Sequence, residues 1–417
     1  MPGLQRHTGP LPALGAALLL SGLAGCVSQP LRFPEAATVE LRRPPAEELA
    51  PAWAAGEEAP DGPPLRVLLR RGSQGLRLAA PGGLRLYGPL GSTLAELPAK
   101  GKAGLSARDG QLMMNGRGLG SGVALVGPLR RNEAVRVGGR RYRGHLVLKA
   151  LGGQLALVDV VGLEDYLKGV LPSEVSGLGP IEALKAQAVA ARSFAVVQMQ
   201  ESAGKAWDLD NSADSQVYGG VQDETAAADA AVRSTRGAIL AFGRAVAHTF
   251  FHSNSGGHTA DAGEVWASKD PPSYLFGVMD SWSEDQPHYT WSSTIPRAEA
   301  EALLHKAGLW DGFLEDVVGR ERSESERWIK VDLIGHDGRR FPINANEFRR
   351  ALGADRVRST RFKVRLRGDD LVFDGTGWGH GVGLSQEGAF AMARSRRTFR
   401  DILYFYYPGT HLASLRE

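Results

Sequence analysis

The sequence predicts an α+β protein, a β-rich mixed body with a buried central helix. Three observations predict it. Between residues 65 and 161 short alternating apolar runs are cut by glycines, as strands joined by tight turns would be. After Pro180 a long stretch of helix formers runs to Gln200 without an interior Gly or Pro. The 53 glycines call for many turns, while 43% hydrophobic and 23% charged residues are the shares of a globular body. At 417 residues the chain is long enough for a large core.

The first segment, residues 1–26, reads as a processing signal. Arg6 and His7 precede a Leu/Ala/Gly run over residues 11–24 that is too short for a permanent membrane span, and "LAGC" closes it. Cys26 is the only cysteine, so it is expected to carry lipid rather than remain a free thiol. Cleavage by an ordinary signal peptidase is the alternative. With Cys26 used in this way, no thiolate metal site exists. Residues 27–64 are rich in Pro, Ala and Glu without a sustained period and read as a tether. A net charge of +3 is too small to argue for nucleic acid.

The strand text of residues 65–161 includes "LRVLLRR", "GLRLAAPGGLRLYG", "AVRVGGRRYRGHLVLKA" and "GQLALVDVV". Residues 162–417 form the second part of the body. The helix after Pro180 is apolar on most faces and so is expected to be buried. A loop, "WDLDNSADSQVYGG", and an Ala-rich helix near 223–236 follow, then a strand pair around "GAILAFGRAVAHTFFHSNSGG". "RAEAEALLHKAG" reads as a short helix, and a last helix and "ILYFYYPGT" close the chain. No repeat of 20–50 residues is present, which excludes a solenoid.

Four stretches could carry chemistry. In "GVLPSEVSG", Glu174 lies between apolar Leu171 and Val175, which would raise its carboxyl pKa toward that of a general acid. Capping of the following helix is the plainer reading. In "KAQAVAARSFAV", Lys185, Gln187, Arg192 and Ser193 are polar in an apolar helix, and Arg192 must pair with an anion or reach solvent. In "HTFFHSNSGGHTAD", His248, His252 and His258 invite a zinc reading, but the Glu of a metalloprotease helix is missing. Polar groups facing a ligand are the other reading, with Ser253, Ser255 and the Gly256–Gly257 backbone as donors. In "GTGWGHGVGLSQEGA", His380 and Ser385, with Asp374 just before the stretch, do not sit in the Gly-x-Ser-x-Gly elbow of a serine hydrolase. The alternating glycines around Trp378 and His380 instead suit an open groove for an extended polar ligand, such as a sugar chain. His380 reads equally as a buried residue that fixes the loop.

Taken in order, "LEDYLKGVLPSEV", "EALKAQAVAARSFAV", "DSQVYGG", "FFHSNSGGHTADAGEVW", "GTGWGHGVGLSQEGAFAMA" and "ILYFYYPGT" resemble the SpoIID/LytB family, the stage II sporulation protein D and amidase-enhancer group. The resemblance runs from about residue 65 to the end. It implies a bacterial cell-wall protein similar to lytic transglycosylases that cut glycan strands stripped of stem peptides. The family's catalytic glutamate falls on Glu174. Its groove residues fall on Arg192, His252, Ser253, Ser255, His380, Ser385 and Gln386, and the same motif stretches add Lys185, Gln187, Ser193, Gln216, Tyr218, Gly256, Gly257 and Trp378 as expected substrate contacts. Two departures stand out. The loop cysteines that hold zinc in some members are replaced by Asp210 and Ser215, so neither zinc nor another cofactor is expected. Glu387 stands where the family usually has tyrosine. The implied alternative is a non-catalytic glycan binder that enhances a separate N-acetylmuramoyl-L-alanine amidase; a purely structural wall tether is a third class. Expected partners are glycan strands, a wall amidase and, through the lipid on Cys26, a membrane at the cell envelope.

Overall fold

The computed structural model describes residues 38–41, 61–72, 76–99, 104–129, 135–175, 179–211 and 216–416, and it is a strand-rich α+β protein. Cys26, the signal segment, most of the expected tether and Ser215 lie outside the described residues. The tether reading needs correction at its two described ends. Thr38–Glu40 pairs as a parallel edge strand with His411–Arg416. Asp61 accepts from Lys168 at 3.3 Å and pairs with Arg236. Alternation too short to register as a period still suffices to complete a sheet edge.

The largest sheet has seven strands in the order Leu209–Asp210, Pro64–Gly72, Gln154–Gly162, His145–Leu151, Val123–Pro128, Gly83–Tyr87, Thr93–Pro98. Leu209–Asp210 runs parallel to its neighbour and the other pairs are antiparallel. The strand Gln154–Gly162 is buried from Leu155 onward, because both of its faces are covered. Leu125 and Val147 pack with its Val158 and Val160 in one cluster, and Val161 joins the helical core.

That strand runs directly into α1, Leu163–Val175, which is followed by α2, Ile181–Glu201. Helix α2 begins after Pro180, as its sequence predicts, and is buried without a break from Ala186 to Val197. Its alanines let neighbours approach on all sides. Ala188 and Ala195 share a cluster with Tyr166, Leu167 and Val170 of α1, whereas Ala186 and Val189 join Leu403 and Tyr406. Helices α3 (Ala226–Ser234) and α4 (Ala262–Trp266) follow on the surface of this core.

A module with its own core comes next. Its sheets are Thr290–Pro296, Asp370–Thr376, Phe362–Arg367 and Leu314–Arg322, Trp328–Gly335, Arg340–Asn344. Helices α5 (Arg297–Lys306) and α6 (Ala345–Leu352) pack on them, with Trp291, Leu314, Val331, Phe348 and Phe373 inside. Helix α6 escaped the sequence reading because four of its eight residues are charged or amide side chains; Asn344 caps it, accepting from the amides of Asn346 and Glu347. The chain ends with α7 (Gln386–Arg394), α8 (Phe399–Tyr406) and the strand His411–Arg416. The "ILYFYY" text is thus the body of α8, which places Ile402, Leu403 and Tyr406 in the core.

Candidate functional site

Glu174 lies in the last turn of α1 and lines an open trough of about 890 Å³. His252, Ser253, Trp378, His380 and Gln386 line the same trough. Glu174 therefore does not cap α2, whose N-terminus at Pro180 takes no side-chain bond. Its Oε1 accepts the Val217 amide at 2.7 Å, and it has no ion pair among the described residues. Burial pushes its carboxyl above the ordinary range, outweighing that hydrogen bond. The carbonyl end of α1 adds a partial negative charge that also disfavours the carboxylate.

The opposite wall is built from two loops laid against each other. Phe251–His252 pairs in parallel with Leu384–Ser385, and Asn254 exchanges backbone bonds with Trp378 at 3.0 and 2.8 Å. This contact explains the glycine spacing, and it differs from the sequence reading that glycines admit sugar rings. Gly379 (φ 113°) would bring a Cβ within 2.6 Å of the His252 Cβ, and Gly383 (φ 73°) within 2.2 Å of the Phe250 carbonyl oxygen. The glycines face protein.

His252 is buried, and its Nδ1 lies 3.2 Å from the Val382 carbonyl. A carbonyl can only accept, so the proton sits on Nδ1 and Nε2 is a bare acceptor. That Nε2 is buried and has no partner among the described residues. Burial, His380 and Arg327 hold the ring neutral, far below its usual pKa. His380 Nδ1 accepts the Val382 amide at 3.0 Å, and burial with Arg349 and Arg327 pushes its pKa down to about 3. His380 thus both fixes the loop and faces the trough. Aromatic faces complete the wall. Trp266 packs on Phe250 at 4.4 Å and on His380 at 5.3 Å, and Trp378 carries Arg358 over its ring at 4.3 Å.

The remaining sequence-predicted contacts do not reach the trough. Arg192 is fully buried, held by Glu164 at 2.9 and 2.8 Å and donating to the Ala238 carbonyl at 2.9 Å. Ser193 Oγ donates to Val189 and accepts the Leu240 amide, tying α2 to the strand Ala238–Phe242. Gln187 is buried on α2, and neither amide atom has a partner among the described residues. Lys185 pairs with Glu182 at 2.7 Å. Gln216 is interior, accepting from Tyr166 and donating to Ala191, and Tyr218 donates to Asp159 at 3.1 Å. Tyr218 also packs between Tyr142 and Tyr166. Isolation from water drives Arg192, Ser193, Gln216 and Tyr218 to protein partners.

Ser255 and Ser385 serve a buried carboxylate instead of the trough. Asp280 accepts from Ser283 and from Tyr406 at 3.0 Å, and Ser255 bonds it as well. Ser385 Oγ meets Ser283 Oγ at 2.7 Å and caps α7 by accepting the Gly388 amide. The Gly256 turn is clamped from outside, with Arg327 donating to the Ser255 carbonyl at 2.7 Å and Arg361 to that of Gly256. Gly257 accepts the Asp280 amide at 3.0 Å. Glu387 bonds Asn254 and His288, each at 2.7 Å, and His288 packs edge-on against Trp378 at 4.6 Å. The three histidines of the zinc reading do not meet. His248 stacks on Phe250 at 4.2 Å, and His258 lies 2.7 Å from the Thr259 carbonyl.

Residues that the sequence reading missed also line the trough: Phe194 from α2, Trp266 from α4, and Asn346, Arg349 and Arg350 from α6. An aromatic at the end of "AGEVW" was a legible signal for Trp266. Nothing local marked the arginines of α6, a helix that the sequence reading did not identify.

Comparison with known proteins separates the same parts. Residues 152–242, which carry Glu174, match the family described as Stage II sporulation protein. Residues 275–383, which carry Trp378, His380 and α6, match a domain of unknown function. The chain is 33% identical to Stage II sporulation protein D of Bacillus subtilis over 276 residues, 61% of this chain and 76% of that one. It is 31% identical over 281 residues to an uncharacterized protein of Brachyspira hyodysenteriae, covering 67% of this chain and 74% of the other. It is 27% identical over 295 residues to the Amidase enhancer of Bacillus subtilis, covering 60% of this chain but 40% of that protein. On these matches and on the ordered motifs that carry them, the chain belongs to the SpoIID/LytB family.

Proposed function

We propose that this chain is a peptidoglycan lytic transglycosylase acting on denuded glycan strands, with Glu174 as its one acid–base group. The observation that carries the reading is Glu174 itself, a carboxyl lining an open trough, biased toward its protonated form and unpaired with any cation among the described residues. Most glycosidases need two carboxylates. Here the muramic acid's own C6 hydroxyl takes the place of the second. Glu174 gives its proton to the glycosidic oxygen as the C1–O bond breaks, and the leaving sugar departs as an alcohol. The C6 oxygen then bonds to C1, and the Glu174 carboxylate takes the C6 hydroxyl proton. Glu174 is regenerated, no water is consumed and the product ends in 1,6-anhydro-muramic acid. No cofactor is required. Acid–base transfer of this kind contributes about 10²- to 10⁴-fold, and alignment of the sugar chain against Trp266, Trp378 and the His252–Ser253 loop supplies further acceleration.

The body would work outside the cytoplasm, held at the envelope by lipid on Cys26 and the segment that follows it. A second reading is supported by the relative named Amidase enhancer: a glycan-binding protein that stimulates a separate wall amidase. Incubation of the protein with peptide-free strands, followed by mass analysis, separates the two. The enzyme yields anhydro-muramic ends that Glu174→Gln no longer makes. Strands that co-sediment with wild-type protein yet stay uncut would leave the binder.

A further inference from the structure

Arg349 is a weakly compensated charge in the wall of the trough. It is 7% exposed and lines the trough from α6, while Phe348 and Leu352 of the same helix enter the module core. Its Nε donates to the Arg358 carbonyl at 3.0 Å and its Nη1 to Asn346 Oδ1 at 3.4 Å. Both acceptors are neutral. Among the described residues no carboxylate forms an ion pair with it; exposed Asp355 helps electrostatically, and Arg350 beside it opposes. Its charge is felt at the histidine end, where it disfavours protonation of His252 and His380. A guanidinium withdrawn from water without a counter-ion is costly, and its planar fork matches a carboxylate. The trough's own acid, Glu174, is bonded to the Val217 amide and forms no ion pair with Arg349, so it does not fill that role.

We propose that Arg349 binds the free lactyl carboxylate of a muramic acid unit that has lost its stem peptide, and so reads whether a strand is denuded. This rests on the glycan-strand reading above. A stem peptide converts that carboxylate into a neutral amide, which removes the charge and adds bulk where α6 lines the trough. Arg349 acts on binding and specificity; the reacting atoms belong to Glu174.

The test uses the full chain and two ligands made from one preparation: peptide-free soluble strands, and the same strands with every lactyl carboxyl coupled to methylamine. Calorimetric titration of wild type is expected to show the acid strands binding about 10- to 100-fold tighter, as a charge-assisted pair would give. Arg349→Gln should bind both ligands with the weaker affinity, and Arg349→Lys should recover part of the preference. Equal affinity of wild type for the two ligands overturns the inference and leaves the glycan reading intact; that comparison needs no variant. A preference that survives in a folded Arg349→Gln protein overturns it too. Failure of both ligands to bind wild type removes the glycan reading and this inference together.

Discussion

Helix α2 and the paired loops at 251–257 and 377–386 both carry polar residues in apolar surroundings, yet they use them differently. On α2, Arg192 and Ser193 are consumed by the interior, one by Glu164 and the Ala238 carbonyl, the other by Val189 and Leu240. On the loops the outcome is split. Ser255 and Ser385 turn inward to the Asp280 network, while Ser253, Trp378 and Gln386 line the trough. A helix buried on all sides offers its polar groups only protein partners, whereas a loop pair with one face covered leaves the other face for a ligand.

Breaking the interior side of this comparison should cost the most. Arg192→Ala strands the buried Glu164 carboxylate and is expected to lower stability by about 3–5 kcal/mol, read by denaturant unfolding. A loss under about 1 kcal/mol would mean that the pair is not the lock it looks to be. Gly383→Ala comes next. The left-handed backbone alone costs about 1–2 kcal/mol, and the new Cβ would meet the Phe250 carbonyl oxygen at 2.2 Å, adding to the loss. If glycine is there for sugar approach instead, the variant will keep its melting temperature and lose only glycan affinity.

Ser385→Ala removes the cap of α7 and should cost about 1 kcal/mol with glycan affinity nearly unchanged. A large affinity loss in a folded variant would return Ser385 to the groove. The smallest effect is expected at Glu174, and its sign is informative. Its folded pKa is raised, so the folded protein holds that proton more tightly than the unfolded chain does. Its ionisation therefore lowers stability as pH climbs from the ordinary carboxylate range through the raised value. Glu174→Gln should match or slightly exceed wild-type stability at neutral pH, and the difference should vanish in acid below the ordinary carboxylate range. A variant that unfolds more easily at pH 7 would make Glu174 a structural residue.

How much of this was legible depended on the kind of question asked of each residue. The α2 boundaries followed from Pro180 and the breaker-free run, and the pattern placed α2 in the interior. Glu174 was singled out by its apolar neighbours, and the trough does bring it together with His252 and His380. The direction of each α2 polar group was not legible, because whether Arg192 meets Glu164 or a ligand depends on a partner 28 residues away. The glycines were recognised as demanding close approach, but the approaching atoms, His252 Cβ and the Phe250 carbonyl, lie more than a hundred residues distant.

By itself the sequence determined the local matters: which runs become strands, where α2 starts, and which family the chain joins. These rest on interactions between near neighbours, and near neighbours are written side by side. Tertiary structure alone decided which polar groups remain for a ligand, and it set Arg349, from a module with its own core, in the same trough as Glu174. Burial and partner choice are properties of segments brought together in space, where every group withdrawn from water takes whichever complement the fold delivers.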